Sequence, residues 1–293
     1  MLIGTDGPET LWGTEARDVV FGLAGDDAIY LGGGNDSADA GAGNDAVYGG
    51  EGRDWLASQE GDDRLFGEGG DDHLYGGPGN DTLYGGDGND RINGNAGDDG
   101  IIGDNGNDRL FGAEGHDIMD GGDGWDRING GGGIDIVQDF AGGGILHGDA
   151  DNDTLFGGGA QPGQTLDFYG DAGDDQFYVG TWAPGQITLH GGTGADTFYV
   201  NGDDLDGSAG RVVIADFHRE QGDKIDLSMN DGFVSLPTSI LAPGHDTNGD
   251  LRIDTQDGFT TADRATHGIA LHTWDDTLVV AHTQALQLSD FVL

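Results

Sequence analysis

A lone apolar residue recurs every nine positions through the first half of the chain: Val20, Ile29, Ala38, Val47, Leu56, Leu65, Leu74, Leu83, Ile92, Ile101, Leu110, Met119, Ile128 and Val137. Glycine, asparagine and acidic residues fill most of the space between these positions. A triplet such as Thr82-Leu83-Tyr84 makes a short strand whose middle side chain faces one way while its neighbours face the other. Six residues such as Gly85-Gly86-Asp87-Gly88-Asn89-Asp90 then reverse the chain, because glycine permits positive φ and asparagine or aspartate tolerates left-handed geometry. One nonapeptide is thus a strand and a turn, two make a coil, and residues i and i+18 stack at about the 4.8 Å spacing of paired strands. The pattern predicts an all-β solenoid with its core on the middle residue of each triplet.

After about Gly144 the phase loosens and the candidate strands lengthen, over 165–169, 176–179, 186–190, 197–200 and 211–214. The expected organisation is therefore a regular roll over 1–139 and an extended roll or β-sandwich over 140–293 that caps the open end.

A second series runs in phase with the first, two residues upstream: Asp18, Asp27, Asp36, Asp45, Asp54, Asp63, Asp72, Asp81, Asp90, Asp99, Asp108, Asp117, Asp126 and Asp135. Stacked coils place these carboxylates over one another, a repulsive arrangement unless a cation lies between them. Calcium suits the site, as a hard ion taking six to eight oxygens from carboxylates and from the carbonyls that glycine turns expose; Mg²⁺ demands stricter geometry. Composition points to cations as partners. With 55 acidic and 11 basic residues, the formal charge is −44, so the bare chain resists collapse and repels nucleic acid and anionic membrane. Pairing each aspartate with the one eighteen residues on gives twelve sites, and twelve divalent ions reduce −44 to about −20.

The phrase G-G-x-G-x-D-x-U-x, with U apolar, is complete at Gly76–Tyr84, and residues 10–139 resemble the RTX calcium-binding nonapeptide repeat proteins. The resemblance implies a right-handed parallel β-roll with Ca²⁺ held between turns n and n+2. Arg17, Arg53, Trp125 and Ile134 replace the small polar residue before their aspartates, so those turns are expected to bind weakly or to act as caps, and the sites around 61–108 to bind most tightly. Asp153, Asp175 and Asp196 carry fragments of the motif into the second half. "RVVIADFHREQGDKIDLS" (211–228) and the terminal "LQLSDFVL" resemble serralysin-type RTX proteins and their uncleaved export signal. That resemblance implies type I secretion from a Gram-negative bacterium, an extracellular location and the secretion machinery as a partner.

Between these segments, Asp246, Asn248, Asp250, Arg252, Asp254 and Asp257 stand at positions 1, 3, 5, 7, 9 and 12 of an EF-hand-like loop, Arg252 offering its carbonyl. Leu251 at position 6 and aspartate rather than glutamate at position 12 depart from that pattern.

The eighteen-residue period also sorts the outward side chains into two rows. Tyr30, Tyr48, Phe66, Tyr84 and Ile102 form one; Trp55, His73, Arg91, Arg109 and Arg127 form the other. Both suit β-sheet surfaces, since aromatics stabilise cross-strand neighbours and arginine lies over a sheet. As a docking surface, the first would take sugar rings or a neighbouring domain, and the second the carboxylates of an acidic glycan.

There is no cysteine, H-E-x-x-H, G-x-S-x-G or P-loop, and the nine histidines lack compact ligand spacing. No apolar run reaches membrane-spanning length, and the amino terminus lacks a cleavable signal pattern. The expectation is a secreted, non-enzymatic protein that folds on binding Ca²⁺ and serves as an extracellular structural or interaction module, with extracellular polysaccharide or a cell surface as the expected partner. The alternatives are a membrane-active protein similar to the RTX nodulation protein, and a glycan-binding or polysaccharide-modifying module in 140–293.

Overall fold

The computed structural model describes residues 1–158, 160, 162–180, 185–201, 211–218, 220–226, 268–272, 277–282 and 291–292. The chain divides into two compact units, one of Met1–Asp139 with Gly144–Asp149 and one of Phe140–Gly143 with Ala150–Leu293.

The first unit is a right-handed parallel β-roll, the hand that crossovers between parallel strands almost always take. Each coil contributes one strand to each of two sheets, and partners are eighteen residues apart: Leu65 pairs with Leu83, and Leu83 with Ile101. Leu74, Ile92 and Leu110 stack likewise in the opposite sheet. All fourteen apolar positions of the series are buried, none more than 1% exposed. One apolar side chain per half-coil suffices because the two sheets close over them.

The strands are longer than the predicted triplets. Thr82–Asp87 and Arg91–Ala96 each run six residues, so the glycine pair belongs to the strand and only three residues turn. The pairs Gly86↔Glu68 and Asp87↔Gly69 resume the parallel ladder beyond Gly85. Strand propensity is poor there, but backbone hydrogen bonds from both neighbouring coils outweigh it. Gly86 and Gly88 have φ of 105° and 145°, values that a side chain rarely permits.

The second unit is itself a roll rather than a sandwich. Thr154–Gly158, Gln176–Gly180, Thr197–Asn201 and Lys224–Asp226 pair in parallel in one sheet, and Thr165–Tyr169, Gln186–His190, Arg211–Phe217 and Thr277–His282 in the other. Gly268–His272 adds an antiparallel strand. The longer coils enclose a wider core, filled by Phe168, Phe177 and Phe198.

Candidate metal centres

The aspartates of the first unit form two columns, one along each row of turns. In the first, the backbone N–H groups of Asp18, Asp36, Asp54, Asp72, Asp90 and Asp108 each donate to Oδ1 of the aspartate eighteen residues on, at 2.7–2.8 Å. The second links Asp27, Asp45, Asp63, Asp81, Asp99, Asp117 and Asp135 in the same way, at 2.7–2.9 Å. These are the twelve inter-coil pairs that the spacing anticipates. The first column ends at Asp126, where the residue eighteen further on is Gly144, lying against the Asp126 backbone.

One oxygen of each carboxylate is thereby used. The other, Oδ2, is buried without a hydrogen-bond partner in Asp27, Asp36, Asp45, Asp54, Asp63, Asp72, Asp81, Asp90, Asp99, Asp108, Asp117 and Asp126. An unpaired buried carboxylate oxygen is costly, and a file of them more so. Burial is accordingly the largest cause raising these acids: Asp72, Asp81, Asp99 and Asp108 are pushed up to about 7, and Asp45, Asp90 and Asp126 to about 6, despite the opposing backbone hydrogen bond.

The orphaned oxygen points into a cradle left by glycine. A Cβ built on Gly49 would lie 2.6 Å from Asp54 Oδ2 and 2.8 Å from the carbonyl oxygen of Gly67, one coil on. The space a methyl group would fill is thus bordered by a carboxylate and a carbonyl from adjacent coils, hard oxygen donors of the kind calcium takes. Gly67, Gly76, Gly85, Gly94, Gly103, Gly112 and Gly121 border similar cradles beside Asp72, Asp81, Asp90, Asp99, Asp108, Asp117 and Asp126. Leu31, Ala40 and Ser58 take that motif position beside Asp36, Asp45 and Asp63. All three are fully buried, and the Ser58 hydroxyl donates to the carbonyl of Gly76 at 2.7 Å. These three side chains, which the search for aspartates overlooks, narrow the cradle.

The residue before each aspartate has a separate task. Asp26, Asn44, Asp62, Asn80 and Asp98 each accept, through Oδ1, the N–H of the residue eighteen further on, and His116 accepts that of Ile134 through Nδ1. Along the other turns Asn35, Asp71, Asn89 and Asn107 do the same, ending at Trp125. Ile134 and Trp125 therefore terminate ladders, as side chains without an acceptor must. Arg53 interrupts one, and its guanidinium instead pairs with Asp71 at 2.5 Å.

Three further acids join these arrangements. Glu9 stands one period before Asp18 and donates its N–H to Asp27 Oδ1 at 2.8 Å, opening the second column in a motif, Gly4–Trp12, that glutamate disguises. In the second unit Asp153, Asp175 and Asp196 link in the same manner, and Asp196 then donates to Asp223. That last step spans 27 residues, so no fixed period reveals Asp223. Asp216 accepts the N–H groups of Gly191 and Gly192 across separations of 25 and 24 residues, which no eighteen-residue coil anticipates. The loop residues Asp246, Asn248, Asp250, Arg252, Asp254 and Asp257 lie outside the described residues.

Both outward rows are in register. Trp12 precedes Tyr30, Tyr48, Phe66 and Tyr84, and successive rings stack at 4.4–5.1 Å with interplanar angles of 4–13°. Faces so engaged present only edges outward, which does not suit stacking on sugar rings. The other row runs Trp55, His73, Arg91, Arg109, Arg127 across adjacent strands.

A family model, the RTX calcium-binding nonapeptide repeat in four copies, matches residues 3–38, 39–74, 66–101, 75–110, 102–137, 140–160 and 188–214, more than half of the chain. A hyperactive, Ca²⁺-dependent, β-helical antifreeze protein from an Antarctic bacterium is similar at 20% identity, over 73% of this chain and 86% of that one, with a TM-score of 0.35. No curated protein matches.

Proposed function

This chain belongs to the RTX calcium-binding nonapeptide repeat family, and from that premise we propose that its aspartate columns bind Ca²⁺ between coils and that this binding folds the chain outside the cell. The observation that carries the reading is the file of buried, unpartnered Oδ2 atoms, of which those of Asp54, Asp72, Asp81, Asp90, Asp108 and Asp117 face a glycine cradle and a carbonyl of the next coil. Bound calcium supplies positive charge where those oxygens converge. The protein's own part is to hold each carboxylate by an N–H bond, to keep the cradle open with glycine and to exclude water with the apolar file. The cradles beside Asp54, and beside Asp72 through Asp126, fit the ion best; those beside Asp36, Asp45 and Asp63 fit it less well.

Because metal binding becomes folding free energy, a chain at −44 stays extended while free calcium is low and folds where calcium reaches the ~10⁻⁴–10⁻³ M range of extracellular modules. Circular dichroism with calcium and after chelation tests this directly: strand signal is expected only with the metal, and an unchanged spectrum on chelation would overturn the reading. Type I export rests on the resemblance of the terminal "LQLSDFVL" to RTX export signals. Deletion of 286–293 is expected to retain the protein inside the cell, whereas export of the truncated chain would refute that part. The folded protein serves as an extracellular structural or interaction module without a catalytic role. Among the described residues, no helix is long and apolar enough to cross a membrane.

A further inference from the structure

The basic row differs from the rest of the surface in more than its three arginines. On three consecutive coils of one sheet, the outward residues are Asn89, Arg91 and Asn93, then Asn107, Arg109 and Phe111, then Trp125, Arg127 and Asn129. The acids between them, Asp90, Asp108 and Asp126, are at most 1% exposed. These nine residues carry three positive charges and no negative one on a chain at −44, and the nearest acids bonded to them, Asp71 to Asn89 and Asp149 to Asn129, lie at the margins of the row. All three arginines are exposed, and none is ion-paired among the described residues.

Parallel pairing in register puts these like charges on adjacent strands, about 4.8 Å apart at the backbone. Mutual repulsion disfavours that arrangement unless something anionic lies along it. Two of the side chains are also preorganised: the Arg91 guanidinium lies 4.7 Å from the Phe111 ring centroid, and that of Arg127 lies 4.9 Å from that of Trp125. Cation–π contacts of this kind hold the planar forks in place and reduce the ordering cost of binding.

We infer that Arg91, Arg109 and Arg127 form a docking stripe for a linear carboxylated glycan, one carboxylate per ring, lying across the strands. Charge complementarity selects an anion, and the file of single charges at strand spacing selects a polymer whose charge repeat is of the same order. Duplex nucleic acid, with a charge every ~1.7 Å of axis, fits poorly, since its further phosphates would fall on the acidic surroundings. The stripe rests on the calcium reading in one respect: Asp90, Asp108 and Asp126 lie directly behind it, and metal at those sites leaves its positive charge uncancelled.

The test uses the full chain and a short oligomannuronate as probe, followed by calorimetry at millimolar calcium, with neutral dextran and a single-stranded oligonucleotide of matched length alongside. Binding of the uronate alone is expected, with at least a tenfold loss in Arg91→Gln/Arg109→Gln/Arg127→Gln and none in Arg64→Gln, which changes the opposite sheet. Circular dichroism of each variant in calcium verifies folding, and the triple arginine-to-lysine variant, which keeps the charge, should retain part of the affinity. Absence of uronate binding, equal binding of the oligonucleotide, or undiminished binding by the folded triple glutamine variant would overturn the inference. Failure of the calcium reading is separately visible: the chain would be folded after chelation and would bind the uronate equally with and without the metal, still losing affinity with the arginines.

Discussion

At the scale of single residues, each aspartate has two chemically distinct oxygens. Asp81 uses Oδ1 to accept the N–H of Asp63 at 2.9 Å and leaves Oδ2 buried and unsatisfied. Asp18 is different, because the N–H of Thr14 and its hydroxyl both lie 2.8 Å from Asp18 Oδ2. Asp81→Asn is therefore expected to reduce calcium affinity more than Asp18→Asn, as read by calcium titration. The metal-free state should show the opposite ranking. Asp81 titrates near its usual carboxylate value, about 3.9, when unfolded and at about 7 when folded, chiefly because of burial. The metal-free roll thus binds the proton that the unfolded chain releases, and its stability falls as pH rises across that window. Asparagine cannot ionise, so at pH about 7.5, above that window, less of a stabilising osmolyte should be needed to restore strand signal to metal-free Asp81→Asn than to the metal-free parent, as read by circular dichroism, and the difference should vanish toward pH 4. A parent that is the more stable of the two without metal at the higher pH would contradict the assignment.

At the scale of elements, the unit is the coil and the coils are tied by side chains as well as by strands. The acceptors just before the aspartates point along the roll opposite to the aspartates themselves: Asn107 serves Trp125 ahead of it, whereas Asp108 receives from Asp90 behind it. Each turn is therefore fastened in both directions. Asn107→Ala removes that bond with Trp125 and the one its Nδ2 donates to Asn89 Oδ1, at an exposed turn and without touching a carboxylate, and a loss of about 1–2 kcal/mol in the calcium-loaded protein is expected. Calcium titration should leave the midpoint within twofold of the parent; a larger shift would mean that this position helps hold the metal. The same geometry explains why the three-residue strand was a short estimate. Gly86 reads as turn by propensity, yet it is paired with Glu68 on one side and Asp104 on the other.

At the scale of the whole molecule, periodicity made much of the architecture legible. A nine-residue phase in both Leu83 and Asp81 forces two sheets, one apolar file and two acid columns, because a parallel coil repeats its side-chain directions every eighteen residues. Where the period fails, so does the reading: Glu9 was hidden by a change of acid, and Asp223 by a 27-residue step. The apolar file, the paired columns, the extended strands of the second unit and the two outward rows followed from sequence alone, since each depends only on spacing and side-chain type. Tertiary structure decided what depends on direction and contact. It set which carboxylate oxygen is spent on the backbone and which remains for an ion, it let Leu31, Ala40 and Ser58 narrow three cradles, and it turned the aromatic faces inward on one another while leaving Arg91, Arg109 and Arg127 without an ion pair among the described residues, because spacing fixes where a side chain starts and only its neighbours fix where its polar atoms end.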